Sequence, residues 1–195
     1  MKKQILEEII NNFSIDTFTR FFRAANDKFR HPNEFLYDED DNFGQGKKME
    51  EINLEGSNLI VCCFPVKKSL TERTGKKVQY ELGKKILKQT QTDAGIFIFY
   101  DKDGRFRFSL IYTNYLGKRR DWSNFKRFTY FVSPALTNKT FLTQIGEGDF
   151  SSLEKIKEVF SVDPVTKQFY SEIQNWYFWA IQHSKFPKDA EEEDN

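Results

Sequence analysis

The chain has 195 residues and a net charge of +1, so charge as a whole predicts no affinity for nucleic acid and only local clusters of cations could supply it. Aromatic residues make up 16% of the sequence, with 21 Phe, and this apolar bulk excludes a disordered chain. No run approaches the roughly 20 apolar residues of a membrane span, and the adjacent Cys62 and Cys63 form no disulfide framework, so we expect a cytoplasmic protein without membrane contact.

Residues 1–133 are predicted to form an α/β domain. Apolar residues near helical spacing, among them Ile5, Ile9 and Phe13, predict a helical start, and a second helix carries Phe18, Phe21 and Phe22. The polar segment from His31 to Gly46 is interpreted as a loop. Short apolar runs and their flanking turns then predict the remaining elements in chain order: a buried strand at 59–66, a helix at about 76–89, a strand at 94–100, a hairpin turn at 101–104, a strand at 105–112 and a strand at 128–132.

Residues 134–183 are predicted to form a helical connector. Helical patterns cover 150–160 and 164–182, and Pro164 suits the first turn of the second of these helices. Residues 184–195 form an acidic stretch, which we interpret as a linker toward a further domain. The predicted fold class is therefore α/β (α+β), with a small mixed sheet flanked by helices and a helical C-terminal segment.

The order strand, helix, strand across residues 59–100 resembles the restriction-endonuclease-like core. In that family, acidic residues on the first hairpin bind Mg²⁺, and a Glu-x-Lys on the strand supplies a further ligand and a lysine. Here no acid lies between Leu59 and Val66, so the resemblance implies a degenerate core that has lost its metal site. An unrelated α/β domain is an open alternative. A second is an active Mg²⁺-dependent nuclease, which would use the flanking residues Glu50, Glu51 or Glu55 with Lys67 or Lys68.

Other catalytic patterns are missing from the sequence. It contains no Gly-x-Ser-x-Gly nucleophile elbow, no phosphate-binding loop and no complete dinucleotide fingerprint. His31 and His183 lie far apart in sequence, and no ligand set has the spacing of a zinc site. We therefore assign no catalytic residue and no metal ligand.

The segment from 105 to 127 carries the strongest binding signal. Its cations can neutralise phosphates, and the aromatic residues between them can stack on unpaired bases. The candidate nucleic-acid-binding residues are Arg105, Arg107, Lys118, Arg119, Arg120, Lys126 and Arg127. A second basic stretch from Lys67 to Lys85 would add to this surface if both lie on one face. The alternative is a solvated hairpin whose aromatic residues belong to the core, with arginine stems covering them.

The helix predicted at 164–182 has an aromatic face wider than one helix contact would bury. Part of that face has helical spacing typical of a buried stripe, so one interpretation is that these residues belong to the core. An exposed aromatic patch is typical of a docking surface for another domain. The candidate docking residues are Tyr170, Trp176, Tyr177 and Trp179.

Four segments resemble the N-terminal region of bacterial adenine-specific DNA methyltransferases, including single-chain restriction-modification enzymes. These segments are Val66–Gln79, Gly95–Asp101, Arg105–Leu110 and Phe160–Tyr170. Such enzymes transfer a methyl group from S-adenosylmethionine to adenine, using a glycine-rich cofactor motif and an Asn-Pro-Pro-aromatic motif that receives the flipped base. Neither motif occurs in this sequence.

The resemblance therefore implies a non-catalytic accessory region that contacts the DNA backbone or organises the enzyme. It implies no cofactor in this chain, with S-adenosylmethionine bound by a downstream methyltransferase domain of the same polypeptide. In some members the N-terminal region is the endonuclease, and Mg²⁺ would be required in that case. A third interpretation is a protein-docking module without nucleic-acid contact.

Overall fold

The computed structural model describes residues 1–116, 119–161 and 163–183. The chain divides into two compact units, Met1–Ser161 and Val162–Asn195. The helices of the first unit are α1 (Lys2–Asn11), α2 (Ile15–Ala25), α3 (Lys76–Gln89), α4 (Lys139–Glu147) and α5 (Leu153–Phe160), and the helix of the second unit is α6 (Asp163–His183). The strands are β1 (Glu34–Tyr37), β2 (Gly46–Leu54), β3 (Ser57–Pro65), β4 (Ala94–Tyr100), β5 (Phe106–Leu116), β6 (Arg119–Trp122) and β7 (Thr129–Val132).

The strands form one mixed sheet in the order β1-β2-β3-β4-β5-β6, and β7 also pairs with β5. Every pair is antiparallel except β3 and β4, which are parallel. Parallel neighbours need a crossover connection, and α3 supplies it. The predicted fold class, a mixed sheet flanked by helices with a helical segment at the C-terminal side, is confirmed.

The sheet has a separate hydrophobic core on each face because successive strand residues point to opposite sides. Along β3, Leu59, Val61 and Cys63 join the core that contains the buried residues of α1, α2, α4 and α5. The alternate residues Ile60, Cys62 and Phe64 join a smaller core against α3. The two cysteines therefore face opposite sides of the sheet.

The larger core is built around phenylalanine rings. The ring of Phe108 on β5 lies 6.0 Å from Phe18, 5.7 Å from Phe141 and 5.0 Å from Phe160, between ring centroids. Phe141 belongs to α4 and Phe160 to α5, so residues from the predicted connector fill the core of the first unit. The division of the chain falls after Ser161, later than the boundary at 133 expected from the sequence, because α4 and α5 bury their apolar faces on the sheet.

The second unit contains α6, a helix of 21 residues. Neither α6 nor any other helix in the described part of the chain is long and apolar enough to cross a membrane. The acidic stretch at 184–195 lies outside the described residues.

Candidate nucleic-acid interface

Helix α3 places a row of lysines on one face of the first unit. Its inner side buries Leu82, Ile86 and Leu87 against the sheet. Gly83 allows this close approach, since a β-carbon there would come within 2.3 Å of the Ile111 side chain. The remaining side of the helix carries the lysines, and the segment Lys76–Gln89 contains five of them and a single Glu. Burial of the apolar side therefore fixes the lysines on the outer side.

The segment that follows β6 packs beside α3. The hydroxyl of Tyr80 on α3 donates a hydrogen bond of 2.5 Å to the carbonyl of Ser123. The rings of Tyr80 and Phe125 lie 5.6 Å apart, and Lys84 Nζ lies 4.9 Å above the Tyr80 ring. Lys84 and Lys88 also lie 6.0 Å and 5.8 Å from the Trp122 ring. One part of each basic stretch found in the sequence therefore lies on this face, namely the lysines of α3 and the segment 121–127.

We call this surface the basic face and define it by Lys77, Lys84, Lys85, Lys88, Lys126 and Arg127. Glu81 forms an ion pair of 2.8 Å with Lys84, and Asp121 is a second exposed acid in the same region. Cations outnumber acids, so the local potential is positive although the chain is almost neutral. Trp122 and Phe125 are half-buried between the cations and have ring surface available for stacking.

The structure places the predicted binding residues of the β6 region unevenly. Lys126 and Arg127 are exposed on the basic face. Arg119 and Arg120 lie on β6 opposite Leu116 and Tyr115 of β5, and the placement of their side chains is not described. Lys118 lies outside the described residues. Lys88, which sequence reasoning missed, belongs to the same face and could have been found from its spacing of three and four residues from Lys85 and Lys84.

Arg107 is not a surface cation, which corrects its assignment as a phosphate contact. It is 1% exposed and lies on the α3 side of the sheet. Its Nη2 donates hydrogen bonds to the carbonyls of Thr71 (2.6 Å) and Thr74 (3.1 Å), and its Nη1 donates to Gln79 Oε1. Burial lowers the pKa of its guanidinium to about 10, so the group keeps its charge at neutral pH. Arg107 holds the loop before α3 and is not accessible to a phosphate.

Arg105 is engaged at the β4–β5 turn. Its Nε donates a hydrogen bond of 2.9 Å to Asp101, and a second nitrogen pairs with Asp103. Asp101 is 5% exposed and also accepts the N–H groups of Leu70 and Asp103. The positive charge of Arg105 is therefore balanced within the turn.

The hairpin β2–β3 contains one buried carboxylate, on Glu50. This residue is fully buried, and its Oε1 lies 2.9 Å from His31 Nδ1. Burial raises the pKa of the Glu50 carboxyl, although the contact with His31 acts in the opposite direction. Across the hairpin, Glu50 is paired with Val61 on β3. The next residue on the same face of β3 is Cys63, so neither neighbour offers a carboxylate. A Mg²⁺ site needs further oxygen ligands at these places, so the residues present do not fit the ion.

The other residues of the nuclease alternative do not lie together. Glu51 pairs with Lys48 at 3.0 Å, and Glu55 lies in the turn that joins β2 to β3. Lys67 and Lys68 follow the opposite end of β3, a nine-residue strand that spans roughly 30 Å. Among the residues that the structure describes, no group of three or more His, Cys, Asp or Glu side chains could hold a metal ion. Within the described ranges, the carboxylates and lysines of this alternative therefore do not converge on one site.

Helix α6 exposes large apolar side chains. Trp176 is 65% exposed, and Tyr177 and Trp179 are each 57% exposed. Tyr170 lies on the same helix, but the placement of its side chain is not described. Phe169, Ile173, Phe178 and Ile181 are exposed as well, so apolar surface extends around the helix. Such a surface is typical of a segment that another protein surface covers.

Comparison of the sequence with protein-family models and with curated proteins gives no match. A solved structure from Methanococcus jannaschii, of a protein assigned to the family II inorganic pyrophosphatases, aligns with 11% identity and a TM-score of 0.28. The alignment covers 59% of this chain and 33% of that chain. A TM-score this low carries no argument about fold or function.

Proposed function

We propose that this chain contacts the DNA backbone through its basic face, as a non-catalytic accessory region of a bacterial DNA methyltransferase or restriction-modification enzyme. The observation that supports the contact is the convergence of α3 and the segment 121–127, which sets Lys84, Lys88 and Lys126 beside the half-buried rings of Trp122 and Phe125. Cations on such a surface bind phosphates without reading sequence.

The arrangement of the lysines suits phosphate contact because their stems are held by aromatic rings. Lys85 Nζ lies 5.3 Å above the ring of Tyr37 on β1, while Lys84 and Lys88 lie over Trp122 on β6. The charges therefore spread across the width of the sheet on both sides of α3. Lysines held in this way lose less conformational freedom when a phosphate binds.

The parent enzyme is proposed from the resemblance of four sequence segments to the N-terminal regions of DNA methyltransferases. In that setting, methyl transfer from S-adenosylmethionine belongs to a downstream domain in the cytoplasm. The basic face would add sequence-independent affinity for DNA, and the downstream domain would select the target base.

Replacement of Lys85 and Lys88 together by glutamine is expected to weaken binding of duplex DNA. Glutamine has a helix propensity close to that of lysine, so α3 should persist. Each lost phosphate contact lowers the slope of log affinity against log salt by about one, so the double variant should lose about two units of slope. Fluorescence anisotropy with a labelled duplex at several salt concentrations measures this slope.

The matched control replaces Lys3 and Lys139 by glutamine. Both lysines are exposed, and they lie on α1 and α4, across the sheet from α3. The change in net charge is the same, so a general effect of charge would weaken binding equally in both variants. Equal slopes in the Lys85/Lys88 variant and the wild type would contradict the proposed contact.

A second candidate function, docking onto the methyltransferase domain of the parent enzyme, is supported by the exposed aromatic residues of α6. Apolar burial is little screened by salt, whereas phosphate contacts weaken steeply. A complex with that domain is therefore expected to survive 1 M NaCl, a concentration with a Debye length of about 3 Å. It should dissociate when Trp176 and Trp179 are both replaced by alanine. Dissociation by salt alone would contradict docking through α6.

A further inference from the structure

A cavity of about 230 Å³ lies at the amino end of α3. Its walls are partly apolar, from Phe43, Val66 and Leu70, and partly polar. The polar part comes from Lys68, Ser69 and the start of the helix at Thr74 and Gly75. This volume is below the roughly 300–1,000 Å³ of typical sites for drug-sized ligands, so the cavity suits one small charged group with one ring or sugar beside it.

The amino end of α3 borders this cavity through Thr74, Gly75 and Val78, and its first turn has N–H groups that no helix carbonyl accepts. The first bond of the helix runs from the N–H of Gln79 to the carbonyl of Gly75 (3.1 Å), so the N–H groups of the three residues before Gln79 have no carbonyl within the helix. The cap residue is Gly75 with φ of 79°, and among the described residues no side chain caps the helix. No acidic residue lies in the first turn, so the partial positive charge of the helix end is not balanced there.

Gln79 gives a second and independent indication of an anion. It is 4% exposed and lines the cavity. Because Arg107 has only donors, the oxygen of the Gln79 amide must face Arg107 Nη1. Its Nε2 is therefore turned toward Gly75, 3.3 Å from the place of a β-carbon on that residue. Among the described residues, Nε2 forms no hydrogen bond and is not one of the sealed unpaired atoms, so it can donate to a group that enters the cavity.

The charges around the cavity favour an anion. Lys68 lines it, and Arg73 and Lys77 are exposed close by in the sequence. The flanking acids are Glu72, which is exposed, and Asp40. The carboxylate of Asp40 is already occupied, because it accepts hydrogen bonds from the hydroxyl of Tyr37 and from the N–H groups of Asn42 and Phe43.

We infer that this cavity binds the phosphate group of a nucleotide, with the sugar or base against the apolar wall formed by Phe43, Val66 and Leu70. The phosphate accepts hydrogen bonds from the N–H groups at the start of α3 and from Gln79 Nε2, and Lys68 balances its charge. Arg107 is a positioning residue in this site, since it fixes the orientation of the Gln79 amide without touching the ligand. The inference deepens the proposed nucleic-acid contact and rests on it for the source of the phosphate, which is either a DNA strand or a free nucleotide.

The test is an NMR titration of the full chain with deoxyadenosine monophosphate, inorganic phosphate and deoxyadenosine. The expected result is a saturable shift of the Gly75, Lys76 and Lys77 amide signals and of the Gln79 side-chain NH₂ signal with both phosphate-containing ligands. Deoxyadenosine should bind more weakly than its monophosphate. Unchanged signals at these positions with both phosphate ligands would overturn the inference.

The variant Gln79→Glu separates binding from folding. A glutamate has the shape of glutamine and still accepts from Arg107, so the buried arginine keeps its partner, but it replaces the donor with a negative charge. Affinity for phosphate and for the monophosphate is expected to fall by about tenfold or more. The matched control is Gln89→Glu, the same change at an exposed position at the other end of α3, which should bind like the wild type. Equal loss in both variants, or no loss in Gln79→Glu, would overturn the inference.

Competition then identifies the source of the phosphate. A single-stranded oligonucleotide that displaces the monophosphate identifies a DNA strand as the ligand, and its failure to do so identifies a free nucleotide. The Lys85/Lys88 variant keeps this cavity intact, so its effect on DNA affinity is read independently. A chain that binds the monophosphate but no DNA would retain the cavity assignment and overturn the proposed function. A chain that binds DNA through the basic face, but shows no shift of the Gly75 and Gln79 signals with phosphate ligands, would retain the proposed function and overturn the cavity assignment.

Discussion

Replacement of Phe160 by alanine is expected to lower the free energy of unfolding of the first unit by about 3–5 kcal/mol. Phe160 is fully buried, although it lies at the end of α5, within the segment that the sequence assigned to a connector. Its ring stacks on Phe108 of β5 at 5.0 Å and lies 5.9 Å from the ring of Tyr130 on β7. Truncation removes this apolar contact and leaves a cavity in the larger core.

The control for this prediction is Trp176→Ala on α6. Trp176 is 65% exposed, and the loss of an exposed side chain usually changes stability by no more than about 0.5 kcal/mol. Urea denaturation followed by circular dichroism gives both values. If Phe160→Ala were as stable as the control, α5 would not belong to the core, and the first unit would end nearer residue 133.

Replacement of Arg107 by methionine is expected to lower the free energy of unfolding by about 3 kcal/mol. The substitution removes charge-assisted hydrogen bonds to Thr71, Thr74 and Gln79, each worth about 1.5–3 kcal/mol. Relief of the cost of burying the guanidinium, which is visible in its lowered pKa, offsets part of that loss. The amide protons of residues 71–74 should then exchange faster, because Arg107 ties the carbonyls of Thr71 and Thr74 to the sheet.

The control for Arg107 is Arg73→Met in the same loop. Arg73 is exposed, so the same chemical change should alter stability by no more than about 0.5 kcal/mol. Denaturation midpoints and hydrogen exchange of both variants measure the difference. Equal stability of the two variants would show that the contacts of Arg107 with the loop do not stabilise the fold.

Part of the fold could be predicted because the local signals and the tertiary structure agree. Helix α3 and strand β4 have the bounds predicted from the sequence, 76–89 and 94–100. The apolar stripe of α3 matches the helical period, and the short continuous apolar run of β4 is typical of a strand buried on both faces. Helix α3 and one face of β4 share the smaller core, and the other face of β4 belongs to the larger core, so the tertiary contacts agree with the local signals.

Strand β2 was missed because a bulge breaks its alternation. The register shifts between Lys48 and Glu50, which pair with Cys62 and Val61. The extra residue, Met49, lies in the same core as Ile52 and Leu54, although the spacing from 49 to 52 is odd. A period-2 search cannot detect a strand in which one residue has been inserted, and no element was predicted for residues 47–58.

The candidate site could be predicted only in part, since its two halves are far apart in sequence. Arg107 was assigned to the binding surface because it lies among the cations of the segment 105–127. In the structure, α3 and the loop before it cover the side of β5 that carries Arg107, so this residue is buried. Phe106 and Phe108 point to the other side of the sheet and join the larger core. The same covering helix supplies Lys84 and Lys88, which meet the ring of Trp122. Local patterns identified each basic stretch, but only the tertiary contacts show which cations share a surface.

The measurement that tests the central claim most directly is lysine footprinting by acetylation and mass spectrometry, with and without duplex DNA. If DNA lies on the basic face, Lys77, Lys85, Lys88 and Lys126 should be acetylated more slowly in its presence. Lys3 and Lys139, across the sheet, should react at the same rate in both samples. Protection of Lys3 and Lys139, or unchanged rates at all six lysines under conditions where DNA is bound, would contradict the assignment of the basic face.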